Sequence, residues 1–248
     1  MKMKKILFGS LVAVLFFIVP LISMAGDSLT EADALFKRGG LEDYKKSIEL
    51  YLNALKAKPE SYDANWKAAR AYRWYGEESK RQGVKGWKDI CEKYGEMGMK
   101  YGDKAIELNP KGVEGHYYYG LNVGIYSDGV SIITALRKGL KGKTQSSFEK
   151  AYEIGKTYDN SGPTIALGRF WFVLPWPLND KKKALKFLRE SQKTAPNSIS
   201  GQLYLGEALL DRDKEGDKAE AKALLQKVAR CDIAYFRDWA KRLLADLK

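Results

Sequence analysis

Few residues in this chain of 248 could do chemistry. There is one histidine, His116, so no pair of imidazoles can hold a metal or relay a proton. Two cysteines, Cys91 and Cys231, stand far apart in sequence. An oxidising compartment could join them, but a single pair makes no disulfide framework, and unpaired thiols are expected. The adjacent acids Glu42–Asp43 and Glu77–Glu78 point to different faces of any helix and do not form a general acid and base. The glycines between residues 95 and 102 have no phosphate-loop spacing and follow no strand, so they read as close helix contacts or a loop. No serine or threonine sits in a nucleophile elbow. The sequence thus points away from an enzyme, a metal centre or a resident cofactor. What remains is a set of large aromatic and apolar side chains with a few cations among them, suited to binding.

Those side chains recur at helical spacing. Ser47, Tyr51, Ala54 and Pro59 are separated by four, three and five residues, and Ala184, Leu188, Ser191 and Pro196 repeat the same separations. Positions four and three apart share one helix face, and proline cannot continue the helix, so each set is a buried stripe with its stop. Upstream helices carry paired signals: His116, Tyr119 and Gly120 in HYYYG, Leu167 with Gly168, Leu205 with Gly206, and Trp66 in NWKAARAY. Glycine in a helix costs roughly 1 kcal/mol against alanine, and it is tolerated where a neighbouring helix must come close. The order resembles the tetratricopeptide pattern, W-x2-L-G-x2-Y, then A-x3-F, then P. The expected fold is all-α: a degenerate tetratricopeptide-repeat array of about five helix pairs over 29–60, 61–110, 111–158, 160–197 and 198–231. An amphipathic C-terminal helix around 232–247, IAYFRDWAKRLLADLK, caps it. Inserts GEESKRQGVKGWKDICEKYGEMG and SDGVSIITALRKGLKGKTQ are expected to interrupt the second and third pairs.

In such arrays the first helix of each pair lines a concave surface. Mapping the pattern puts Lys67, Trp74 and Tyr75 there from the second pair, and Tyr117, Leu121 and Ile125 from the third. Ile165, Arg169 and Phe172 come from the fourth, and Leu203 with Glu207 from the fifth. The face is apolar with Lys67 and Arg169 as its cations. It is either an open groove or, if the inserts fold over it, a covered core or cavity with apolar walls of the kind that hold small ligands. Arg169 could then take a carboxylate head group through a bidentate pair.

The segment VLPWPL between the fourth pair's helices ends the first of them, and Asp180 can cap the next. Trp171, Pro175 and Trp176 are expected at the rim of the groove, as a partner-docking edge or as packing against the adjacent pair.

The N-terminus reads MKMKK, then an apolar run from Ile6 to Ile22, then Ser23 and Ala25 at the small positions of a cleavage site. This predicts a signal peptide over 1–25, cleaved after Ala25, with the repeat domain at 26–248 and a periplasmic location; an uncleaved membrane anchor is the alternative. The formal charge of +12 is spread along helices between acids and is expected to be a solvated surface, not a nucleic-acid patch.

An exported chain with GHYYYG, LGRFWFVLPWP and KKALKFLRESQKTAP also resembles the T-component of TRAP transporters. The parts that carry the likeness are Gly168, Phe170, Leu174 and Pro175, then Ala184 and Leu188, then Leu205, Gly206, Ala221 and Leu225. That resemblance implies a solute-binding protein as partner, a small hydrophobic or amphipathic organic acid as ligand, and self-association into a homo-oligomer. A peptide-binding periplasmic scaffold is the competing function.

Overall fold

The computed structural model describes residues 19–247, and the leader expected over 1–25 lies for the most part outside them. Twelve helices follow one another and no strand occurs among the described residues. They are α1 (Val19–Arg38), α2 (Leu41–Ala57), α3 (Tyr62–Arg81), α4 (Trp87–Leu108), α5 (Val113–Val130), α6 (Ile132–Arg137), α7 (Leu140–Gly155), α8 (Tyr158–Val173), α9 (Lys181–Thr194), α10 (Ile199–Arg212), α11 (Asp217–Val228) and α12 (Ala234–Ala245). The hairpins are α1/α2, α3/α4, α5/α7, α8/α9 and α10/α11, with α6 inside the third and α12 as the cap. This is the expected array of five helix pairs. None of the described helices is long and apolar enough to cross a membrane.

One device recurs at the junctions between pairs. Pro59, Pro110 and Pro196 follow α2, α4 and α9, and each leaves a carbonyl that the next helix satisfies from its own first turns. Asn65 Nδ2 donates to Pro59 O at 3.0 Å, His116 Nε2 to Pro110 O at 2.9 Å and Gln202 Nε2 to Pro196 O at 2.6 Å. In each case the donor stands six residues beyond the proline. The three side chains are buried, so each bond meets a polar need that water does not reach. His116 is therefore a structural donor. Hydroxyl and carboxylate caps start the helices: Ser61 Oγ accepts from Ala64 N, Asp180 Oδ1 from Lys183 N and Ser198 Oγ from Gly201 N.

Glycine sets the closeness of α4 and α5. A Cβ on Gly95 would stand 2.5 Å from Tyr126 N, one on Gly98 1.9 Å from Asn122 Oδ1, and one on Gly102 3.0 Å from Tyr119 Cα. These pairs run antiparallel along the contact, so two backbones meet where most helix pairs hold side chains apart. Within the hairpins α5/α7, α8/α9 and α10/α11 the same role falls to Gly120 against Phe148, Gly168 against Leu188 and Gly206 against Leu225.

The insert over residues 76–98 is not a loop between helices. It lengthens α3 to 20 and α4 to 22 residues, leaving only 82–86 as a turn, and its buried positions, Gly76, Glu77 and Ser79 on α3 and Cys91, Gly95 and Gly98 on α4, continue the stripes that the two helices bury. The insert at 127–145 does form a separate element, α6, before it runs into α7. Cys91 is buried and Cys231 partly exposed, and both are free thiols. Burial pushes the Cys91 thiol up to about 12, and its Sγ donates to Gly76 O at 3.4 Å.

Candidate binding cavity

The first helices α3, α5, α8 and α10 line the concave side, where they enclose a cavity of about 1050 Å³. That is at the upper end of the roughly 300–1,000 Å³ of small-ligand sites. Trp74, Tyr117, Leu121, Ile125, Ile165 and Phe170 supply apolar wall. The space beside Gly124 is open: nothing lies within 4 Å of where its Cβ would stand. Two elements outside the repeats close the cavity over. From the third pair α6 brings Ile132, Ala135 and Leu136, and from the C-terminus α12 brings Tyr235, Phe236 and Trp239. The concave face is thus neither an open groove nor filled core, but a partly covered hollow.

Half of its charged lining residues sit on α3. Arg73, Glu77 and Arg81 follow at intervals of four and so share one face. Glu77 Oε1 accepts from Arg81 Nε at 3.0 Å, and Glu77 Oε2 lies 3.5 Å from Arg73 Nη2. Burial opposes the charge on Glu77, but Arg73, Arg81 and Lys80 outweigh it and hold the carboxyl below its ordinary range. Arg73 keeps two buried donors, Nε and Nη1, without a partner. Both arginines flank Trp74, at 4.6 and 5.2 Å from its ring centroid. Further along, Lys80 Nζ donates to Asp128 Oδ2 at 2.8 Å. Burial raises Asp128 despite that partner.

Six residues expected on the concave face do line the cavity: Trp74, Tyr117, Leu121, Ile125, Ile165 and Arg169. Five do not, and of these Glu207 is taken up by Arg169. Lys67 is drawn to α1, where its Nζ donates to Asp33 Oδ2 at 2.6 Å. Tyr75 stacks on Tyr94 of α4, with ring centroids 4.4 Å apart. Phe172 packs between the α7–α8 and α9–α10 cores with Lys181 Nζ 3.7 Å from its ring centroid, and Leu203 is fully buried beside Leu225 and Phe236.

The rim also needs correcting. Trp171 is buried, because on α8 it turns inward with Phe170, ring centroids 5.2 Å apart, and joins the core with Leu174. Pro175 is half-buried, and only Trp176 stands free, 84% exposed. Arg169 is no free anion hook either. Its Nη1 donates to Glu207 Oε2 at 2.6 Å, and its guanidinium lies 4.6 Å from the Tyr204 ring and 5.2 Å from that of Trp239. Glu207 thereby cancels the charge that would have drawn a carboxylate. The residues that spacing did not single out are Arg73, Arg81 and the α12 aromatics.

A family model described as regulator of microtubule dynamics protein 1-3 matches residues 28–173. Among solved structures, the chain is similar to TTC0263, a thermophilic TPR protein of Thermus thermophilus. The TM-score is 0.62 at 18% identity, over 89% of this chain and 99% of that one. It is also similar to the MamA protein, with a TM-score of 0.52 at 16% identity over 88% and 95% of the two chains. At such identities the likeness is one of fold, and it supports the broader half of the sequence resemblance, the tetratricopeptide-like array. No curated protein matches the chain.

Proposed function

This chain belongs to the regulator of microtubule dynamics protein 1-3 family, and we propose that it is a non-catalytic, protein-binding scaffold that holds an extended segment of its partner in the concave cavity. The observation that carries this reading is the cavity itself: repeat helices line it with aromatic wall, and α6 and α12 narrow it. An α-helix is about 10–12 Å across with its side chains, so an extended chain suits the narrowed hollow better than a helix. Apolar side chains of the segment would meet Trp74, Tyr117 and Leu121. Proteins that bear on microtubule dynamics are among the partners to test, given the family's description. The test is Gly124→Trp, which fills the open space on α5. Binding of the partner segment should be lost while the helical circular dichroism and melting temperature stay close to wild type. Unchanged binding would remove the cavity from the account.

A second reading is favoured by the cavity's volume and by the two buried Arg73 donors. A small amphipathic organic acid would occupy the same hollow, passed to or from a solute-binding protein of a TRAP-type system, with the chain exported to the periplasm. A native mass spectrum of the protein isolated from its own cells separates the two: a retained small acid supports this reading, and an empty protein that binds a partner peptide supports the scaffold.

A further inference from the structure

Outside the cavity, the turn between α8 and α9 presents an arrangement that the scaffold does not use. Trp171 and Leu174 are buried, at 7% and 5% exposure, and the next residues reverse the pattern. Trp176 is 84% exposed, Leu178 40% and Val173 38%, which puts three of the large exposed apolar side chains within six positions. The turn is held in place: Leu178 N donates to Pro175 O at 2.8 Å, and Asp180 N reaches back to Trp171 O at 3.1 Å. An indole is therefore displayed on a fixed loop, with the hydrophobic effect acting against its exposure.

Immediately after it, α9 begins Lys181-Lys182-Lys183, and its first turn contains no acid. Cations at a helix N-terminus oppose the macrodipole, which favours acids there. Lys181 is offset by Asp211 at 3.2 Å, and Lys183 lies 3.9 Å from the capping carboxylate of Asp180. Lys182 is exposed. The helix tolerates positive charge where its own dipole is least suited to it, beside a protruding tryptophan.

We propose that this turn is a peripheral docking site for an anionic lipid surface, with Trp176 and Leu178 entering the headgroup boundary and Lys182 and Lys183 facing the anionic headgroups. Charge selects this occupant over a protein. Lysine is depleted in protein interfaces, which favour a flatter apolar core. Tryptophan beside lysine is what a membrane–water interface takes.

The test uses the full chain with sedimenting vesicles of phosphatidylcholine alone and of phosphatidylcholine with about 30% phosphatidylserine or phosphatidylglycerol. The expected result is binding to the anionic vesicles only, weakened by salt. It should fall at least about tenfold in Trp176→Ala and in the double variant Lys182→Glu/Lys183→Glu. Lys183→Glu also removes the pairing with Asp180 and the contact with the Trp171 ring at 4.4 Å, so Lys182→Glu alone, which adds an acid at the helix N-terminus, is the variant in which a loss of binding cannot be assigned to a weakened α9. A blue shift in the wild-type minus Trp176→Phe fluorescence difference on adding anionic vesicles would place the indole at the surface. Three results overturn the proposal: no binding to either vesicle, binding that ignores lipid charge, or binding unchanged by both substitutions. The last two are what the apolar run Ile6–Ile22 would produce by itself.

Discussion

The guanidinium carbon of Arg81 lies 4.8 Å from the ring centroid of Phe236. Arg81 is the last residue of α3 and Phe236 stands in the first turn of α12, so this contact joins the second helix pair to the C-terminal cap across the concave side. The same guanidinium is 5.7 Å from the Tyr235 ring and pairs with Glu77. A planar, delocalised cation can stack on rings and bind a carboxylate together, which an ammonium does less well. The cover on the cavity is thus held from the α3 side by one side chain.

Replacing Arg81 by lysine should loosen that cover without removing the charge that Glu77 needs. A cation–π contact of this kind contributes about 0.5–2 kcal/mol. Amide hydrogen exchange should therefore speed up by up to about thirtyfold in α12 and stay unchanged in α9. Equal rates in α12 of wild type and variant would show that its packing on α10 and α11 alone holds it.

Glu77 links acid stability to the cavity. Its folded-state pKa lies below its ordinary value of 4.5, so its contribution is complete above that pH and is lost as the pH falls through the depressed folded value. Asp128 has the opposite sign, since its raised folded pKa makes ionisation unfavourable as the pH rises. Glu77→Gln should destabilise the protein by about 3 kcal/mol at neutral pH, leaving Arg73 without its carboxylate and Arg81 with only the longer contact to Glu78, at 3.9 Å. It should also flatten the decline in urea-unfolding stability below the ordinary carboxylate range. A variant with the wild-type acid profile would mean that Glu77 does not carry the charge balance.

Close approach of α4 and α5 can be tested by adding one methyl group. Gly98→Ala would drive its Cβ into the Asn122 side chain and should cost roughly 1–3 kcal/mol. Gly142, on α7, has nothing within 4 Å of a Cβ. Gly142→Ala should instead stabilise by up to about 1 kcal/mol through helix propensity. Thermal melts of the two variants should move in opposite directions, and a shared direction would contradict the packing described.

The proline-carbonyl bond repeated at three junctions predicts losses at separate places. Asn65→Ala should cost about 1–3 kcal/mol, because it leaves Pro59 O without its donor, and Gln202→Ala should cost less, because Gln192 Nε2 also donates to Pro196 O, at 3.1 Å. The double variant should be close to additive, since the sites lie in different repeats. Denaturant midpoints measure this directly, and a loss below a few tenths of a kcal/mol would indicate that water replaces the side chain.

Much of the fold was legible because its punctuation is local. Pro59, Pro110 and Pro196 mark helix ends, and Gly168 and Gly206 recur at equivalent points of adjacent pairs. The six cavity residues read from spacing follow from the same periodicity. What escaped was set by partners in other helices. The Asp33 carboxylate that takes Lys67 lies on α1, and the ring that stacks on Tyr75 lies on α4. The Arg169–Glu207 pair was within reach, since both were expected on the concave side one repeat apart. So was the Arg73–Glu77–Arg81 row, at helical spacing. The entry of Tyr235, Phe236 and Trp239 into the cavity was not, because amphipathic spacing in α12 says which face is apolar but not what it covers.

The most direct test of the account places a photoreactive benzoylphenylalanine at position 124, inside the cavity, and at position 149, exposed on α7. Irradiation in the native cells, followed by peptide mapping, should give crosslinks from position 124 to one short segment of one partner and none to that segment from position 149. A synthetic copy of that segment should bind the wild type and not Gly124→Trp. Equal labelling from both positions, or a segment that binds Gly124→Trp as well as wild type, would contradict the cavity as the binding site.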